Sequence, residues 1–201
     1  MTREDNLLIR QIAEGNELAF KMLYDHYSPK VYNTLISYTK NAEDAEELLQ
    51  DVFVTVFNTA QSFRSDSTVS TWIYRISVNK SLDFLRKKNS SKRFGIFASL
   101  YKRDSAEIKY ESVDFVHPGV KMENKEDAKI LFSVIDELSE KQKTVFILTQ
   151  IEDLSQQEVA DILQTTRKAV ESLLQRAKAN LKISLEKHFP ERGNSSKNTS
   201  Q

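Results

Sequence analysis

An all-α fold is what this sequence predicts: two small helical domains joined by a flexible linker, the C-terminal one a helix-turn-helix. Three observations lead there. Only four glycines and three prolines interrupt the 201 residues. A sandwich or barrel, which turns every ten residues or so, needs more. Apolar residues recur at helical spacing over two stretches, from about residue 5 to residue 88 and from about Ala128 to Phe189. Between them, from Asn89 to Asp127, the periodicity fails over a length that marks a boundary rather than a loop inside one domain.

The elements follow in order. Leu7, Leu8 and Ile12 open the first helix. Ala19, Phe20, Leu23, Tyr24 and Tyr27 form a second that continues until Pro29, and Val31, Leu35 and Tyr38 follow. A helix from about Ala42 to Ala60 has Asn41 as N-cap and Asp44 in its first turn. A Ser/Thr/Asp-rich loop spans Gln61 to Ser70, and the next helix runs from about Thr71 to Lys88. The aromatics of the linker (Phe94, Phe97, Tyr101, Tyr110, Phe115) suggest that it docks onto something. Ser139-x-x-Gln142 and Ser155-x-x-Glu158 fit the capping box and place two helix starts. The expected divisions are a helical domain at 1–90, a linker at 91–127, a helix-turn-helix domain at 128–189 and a disordered tail at 190–201.

Composition excludes several function classes. With no cysteine there is no disulfide scaffold and no thiol nucleophile. Three scattered histidines (His26, His117, His188) suggest neither a metal cluster nor a general base, so we expect no catalysis, no metal and no cofactor. No apolar run approaches the roughly 20 residues of a membrane span, and the acidic N-terminus is unlike a signal peptide. The expectation is a soluble, cytoplasmic protein without membrane insertion.

Lys plus Arg and Asp plus Glu both number 29, but the charge is unevenly placed. From Arg64 to Arg93 eight bases stand against Asp66 and Asp83, and from Gln164 to Lys182 five stand against Glu171. Acids concentrate between Glu43 and Asp51. Two basic segments and one acidic segment suit nucleic acid at two places and a basic protein at a third.

Three helix faces carry these charges. In Glu43 to Phe57 one side is Glu43, Asp44, Glu47, Gln50 and Asp51; the other, from Ala45 to Phe57, is apolar and expected in the core. The acidic side suits a basic helical partner, or is plain solvated surface. In STWIYRISVNKSLDFLRKK, Tyr74, Val78, Leu82 and Leu85 form an apolar stripe, with Trp72, Arg75, Ile76, Asn79, Asp83 and Arg86 on the other side. Aromatics beside cations suit single-stranded nucleic acid, although by itself Trp72 is better explained as a core residue. In Ser155 to Lys182, a turn near Gln164 to Thr166 separates two helices, and the second has Val170, Leu173, Leu174, Ala177 and Leu181 on one side. Arg167, Lys168, Glu171, Ser172, Gln175 and Lys178 lie opposite, as on a recognition helix in a major groove. The turn has a Gln where Gly is often found.

In this order, DAEELLQDVFVTVF (Asp44 to Phe57), STWIYRISVNKSLDFLRKK (Ser70 to Lys88) and LSEKQKTVFILTQIEDLSQQEVADIL…AVESLLQRAKANL (Leu138 to Leu181) resemble the bacterial sigma-70 superfamily, and the two-domain length its extracytoplasmic-function (ECF) group. The resemblance implies a subunit that binds core RNA polymerase and directs transcription initiation. It implies that Asp44, Glu47, Gln50 and Asp51 dock on the β′ clamp helices. Trp72, Tyr74, Arg75, Asn79, Lys80, Asp83, Arg86 and Lys87 would melt the −10 element and hold a flipped base of the single strand. Arg167, Lys168, Glu171, Ser172, Gln175 and Arg176 would read the −35 element as duplex. The β flap and an anti-sigma factor are further partners that the resemblance implies. The sequence departs from the commoner family pattern at Glu171, where a basic residue is usual, and at Leu173, often Arg, which leaves the −35 preference open. An autonomous helix-turn-helix regulator, which predicts a dimer and a palindromic site, and a helical adaptor are the alternative readings.

Overall fold

The computed structural model describes residues 2–101 and 125–189, with side chains described over 4–90 and 126–189. The chain divides into two units, Met1–Phe115 and Val116–Gln201. All regular structure among the described residues is helical.

The first unit holds α1 (Thr2–Ala13), α2 (Glu17–Thr39), α3 (Ala42–Thr59), a 3-10 turn (Ala60–Ser62) and α4 (Val69–Tyr101). Local chemistry sets each boundary. Gly15 takes φ +87 between α1 and α2, a conformation open to a residue without Cβ. Asn16 then caps α2, its Oδ1 accepting from the Ala19 N–H at 3.0 Å. The α2–α3 connection is as short: Lys40 adopts φ +55 and donates its N–H to Ile36 O, and Asn41 accepts from Asp44 N–H at 2.8 Å. That confirms Asn41 as the N-cap.

Pro29 does not end α2. The helix passes through it to Thr39. Proline inside a helix removes one hydrogen bond and costs about 3 kcal/mol. Tyr27, Val31 and Leu35, all buried around it, offset that loss. Fully burying each such side chain is worth roughly 1.5–3 kcal/mol.

Core residues come from all four helices: Ile9 and Ile12, Leu23 and Leu35, Val52 and Phe53, Ile73 and Val78. Phe57 is a correction to the expected core: it is 42% exposed, although its edge meets Phe20 at 5.3 Å between centroids. On α4 the buried stripe is Ile73, Tyr74, Ser77, Val78 and Ser81. Leu82 and Leu85 are only half-buried. The two serines satisfy their hydroxyls locally, on Ile73 O at 2.8 Å and Ser77 O at 2.9 Å. Tyr27 ties α1 to α2 by donating to Asp5 Oδ2 at 2.9 Å.

Helix α4 also runs further than expected, on to Tyr101 rather than stopping near Lys88. It takes up the first residues of the expected linker. Residues 102–124 of that linker and the tail at 190–201 lie outside the described residues, and α5 takes up its last three, 125–127.

The second unit comprises α5 (Lys125–Asp136), α6 (Glu140–Phe146), a π-helical turn (Ile147–Ile151), α7 (Gln156–Ile162) and α8 (Arg167–His188). Phe132, Ile135, Leu148, Val159, Val170 and Leu181 are among its core residues. Ser139 begins α6 but makes no side-chain cap. Its expected capping box is absent, and Gln142 Oε1 instead accepts from Asn180 Nδ2 of α8 at 3.2 Å. The Ser155 box is complete, with Glu158 N–H to Ser155 Oγ at 3.2 Å and Ser155 N–H to Glu158 Oε2 at 2.9 Å. Lys143 is buried, and its ammonium reaches Asp136 Oδ1 at 2.6 Å.

Candidate functional site

The acidic stripe lies along α3. Glu47, Gln50 and Asp51 are exposed and Asp44 is half-buried. Two of the four meet α4. Asp51 Oδ2 lies 3.5 Å from Lys80 Nζ, and Asp44 Oδ2 lies 3.0 Å from Lys88 Nζ. Among the described residues Glu47 and Gln50 make no ion pair or hydrogen bond. The stripe continues at helical spacing into Val54, 57% exposed, and Phe57. The apolar end of this face was missed because Phe57 read as core by hydropathy and Val54 was placed on neither side.

The basic helix α4 begins beside the 63–68 loop. Trp72 is half-buried and its ring lies 4.9 Å from that of Phe63, tilted by 40°. Trp72, Arg75, Asn79, Asp83 and Arg86 fall within an arc of about 80° at 100° per residue. Asn79, Asp83, Arg86 and Lys87 are exposed and Arg75 is half-buried. Arg86 Nη1 pairs with Asp83 Oδ1 at 3.1 Å. Tyr74 is a correction: it is 2% exposed, on the far side of the helix, so its ring packs in the core instead of facing solvent. Two residues join the expected set. Phe63 supports Trp72, and Lys88 sits 5.1 Å from the Phe84 ring centroid while pairing with Asp44. An aromatic closing the Ser/Thr loop was the available signal for Phe63.

The third face is on α8. Thr166 caps the helix, its Oγ1 accepting from Ala169 N–H at 3.2 Å. Gln164 in the preceding turn adopts φ +51, the conformation that glycine usually supplies. Arg167, Lys168, Glu171, Gln175 and Arg176 are exposed, and Ser172 is half-buried. Arg176 folds back on Ser172, with Nη2 to Oγ at 2.8 Å and Nε to the carbonyl at 3.3 Å. Val170, Leu174, Ala177 and Leu181 bury the opposite side as expected, while Leu173, expected with them, is only half-buried.

No group of three or more His, Cys, Asp and Glu among the described residues could hold a metal ion. No described helix is long and apolar enough to cross a membrane.

Two family models match. Sigma-70 region 2 covers residues 23–91, from α2 into α4. Sigma-70 region 4 covers residues 129–181, the second unit including its helix-turn-helix. The chain belongs to the sigma-70 family. Its relatives place it in the ECF group. It is 29% identical over 175 residues to the ECF RNA polymerase sigma-E factor of Haemophilus influenzae, covering 87% of this chain and 91% of that protein. The sigma-E factor of Escherichia coli is 29% identical over 178 residues, with 87% and 90% covered. Among solved structures, CnrH in complex with the cytosolic domain of CnrY is 25% identical, with a TM-score of 0.65, covering 91% of this chain and 97% of that one. RpoE of Bartonella quintana, solved with the anti-sigma factor NepR, shares the fold at 20% identity and a TM-score of 0.58, over 83% and 96%.

In region 2 of this sigma-70 family member, the acidic stripe and the basic helix are neighbours, joined by the two Asp–Lys pairs. In region 4 the polar face of α8 stands on its own unit.

Proposed function

We propose that this sigma-70 family member is a promoter-specificity subunit that binds core RNA polymerase, reads the −35 element as duplex and melts and holds the −10 element as single strand. One observation carries the reading: an acidic stripe, an aromatic-basic helix and a capped recognition helix occur on one chain, each with its polar side open to solvent. Asp44, Glu47, Gln50 and Asp51 are assigned to the β′ clamp helices, where opposite charge raises the on-rate and fixes register. Trp72, packed against Phe63, and Arg75, Asn79, Lys80, Asp83, Arg86 and Lys87 are assigned to the −10 strand, where a splayed base stacks and its phosphates meet cations. Arg167, Lys168, Glu171, Ser172, Gln175 and Arg176 are assigned to the −35 major groove, and region 4 also to the β flap.

A formal net charge of zero supports a subunit over a stand-alone binder. Duplex binding by a free protein leans on a basic excess, whereas a polymerase supplies its own contacts. An anti-sigma factor is proposed as a further partner, supported by the solved relative CnrH, held by the cytosolic domain of a second protein. Work with polymerase places the chain in the cytoplasm, and none of these roles needs catalysis by the chain itself.

The test is transcription in vitro: the full chain and core polymerase from the same organism on fragmented genomic DNA, with transcript 5′ ends sequenced. New start sites sharing two spaced upstream motifs are expected. Reversing Glu47 and Asp51 to Lys should abolish polymerase binding while leaving the thermal transition in place. No new starts, with no polymerase complex in gel filtration, would overturn the reading in favour of an autonomous regulator on a palindromic site.

A further inference from the structure

The polar arc of α8 holds one acid among its bases. Glu171 is exposed in the second turn, and among the described residues its carboxylate has neither an ion pair nor a hydrogen bond. Arg176, five residues on and about 140° round the helix, is engaged with Ser172. At 100° per residue, Lys168, Glu171, Ser172 and Gln175 share an arc of about 100°. They lie in the first three turns after the Thr166 cap, the end of a recognition helix that reaches base edges.

A carboxylate at that place is unfavourable unless it is used. It is acceptor-only when ionised, and duplex DNA presents one phosphate charge per about 1.7 Å of axis. It therefore finds no partner in a phosphate, in guanine O6 and N7, or in thymine O4. The major-groove donors are the amino groups of cytosine and adenine. Adenine sets its N7 acceptor beside the amino group, which repels the second carboxylate oxygen. Cytosine offers the amino group beside a C–H edge. Lys168 on the same arc supplies the cation that offsets phosphate repulsion.

We propose that Glu171 is a specificity-determining residue, accepting a hydrogen bond from the N4 amino group of a cytosine in the −35 element. The inference rests on the reading of α8 as the −35 recognition helix and adds which base its second turn selects.

The experiment is initiation by core polymerase and the full chain from a promoter library with a fixed −10 element and a randomised −35 region. Gel filtration of each variant with polymerase runs in parallel. For the unsubstituted chain, one −35 position should favour cytosine about tenfold over the other bases. Glu171→Gln should move that position towards adenine, whose N6 and N7 a glutamine amide bonds together. Glu171→Arg should move it towards guanine. Preference elsewhere and polymerase binding should stay as they are. Identical base profiles for the three proteins would overturn the inference and leave the sigma role intact. So would a uniform gain in output on every sequence, because Glu171 would then only repel phosphate. No promoter-directed initiation by the unsubstituted chain would overturn the sigma reading and this inference with it.

Discussion

At the scale of single residues, the left-handed positions matter most. Lys40, Ser65, Asp153 and Gln164 all have positive φ without being glycine. For an L-residue that conformation costs roughly 1–2 kcal/mol. Gln164 is exposed in the turn before the recognition helix. Gln164→Gly should therefore stabilise the protein, by about 0.5–1 kcal/mol after the greater chain entropy of glycine is subtracted. A higher Tm in thermal denaturation checks this, and an unchanged or lower one counts against it. Tyr27 gives a second expectation. Burial first, and then its hydrogen bond to Asp5, raise the pKa of its phenol above the ordinary value. In the unfolded chain tyrosine ionises near 10. Above that pH the unfolded chain has released a proton that the folded one keeps. The contribution is thus complete below about pH 10 and declines beyond it, by up to about 1.4 kcal/mol per pH unit. Tyr27→Phe should flatten that decline and cost about 1 kcal/mol near neutrality for the lost hydrogen bond. Urea titrations across this range compare the two proteins, and equal alkaline slopes would refute the assignment.

At the scale of elements, the α3–α4 pair links two faces with opposite tasks. Lys80 and Lys88, from the helix assigned to DNA, are held by Asp51 and Asp44, from the stripe assigned to polymerase. Each such exposed pair is worth about 0–1 kcal/mol, enough to change an affinity by up to about fivefold. Asp44→Asn with Asp51→Asn should accordingly raise the affinity of the free chain for single-stranded DNA a few-fold at low salt. Glu47→Gln removes the same kind of charge without releasing a lysine and should do less. Fluorescence anisotropy with a labelled oligonucleotide measures both, and a double variant whose gain in binding free energy is only twice that of Glu47→Gln would show that net charge alone is responsible. The sequence made most of α3 and α8 legible because their faces are amphipathic, Val54 and Phe57 being the exceptions on α3. It misled on α4 because the buried stripe includes Ser77 and Ser81, which hydropathy does not separate from the outer side, while Leu82 and Leu85 of the expected stripe are only half-buried. Pro29 read as a stop because the local rule is sound, and only the tertiary burial around it outweighs the lost hydrogen bond. The Asp–Lys pairs were illegible because their members stand 29 and 44 residues apart.

At the scale of the whole molecule, zero net charge with segregated signs governs how the chain meets nucleic acid. The free chain should bind duplex DNA no more tightly than ordinary non-specific binding, a Kd of roughly 10⁻⁴–10⁻⁶ M, with a steep loss as salt rises. Mobility-shift titration with a −35 duplex checks this. Sequence-specific nanomolar binding without polymerase would contradict it. The division into two units could be read from periodicity alone, because the helical pattern stops and restarts; the proposed nucleic-acid face in each was drawn from the uneven placing of basic charge. The point where the first unit's last helix ends could not, since nothing in the run from Asn89 to Arg93 breaks a helix.

The stripe that begins with Glu47 and Asp51 ends in Val54 and Phe57, both open to solvent. Docking there removes apolar surface from water along with charge. The association should thus carry a negative heat-capacity change, and part of its strength should survive at salt concentrations that screen the carboxylates. Calorimetry of polymerase binding at several temperatures reads this directly. Val54→Ser with Phe57→Ser should shrink the heat-capacity term, whereas Glu47→Gln should leave it nearly unchanged.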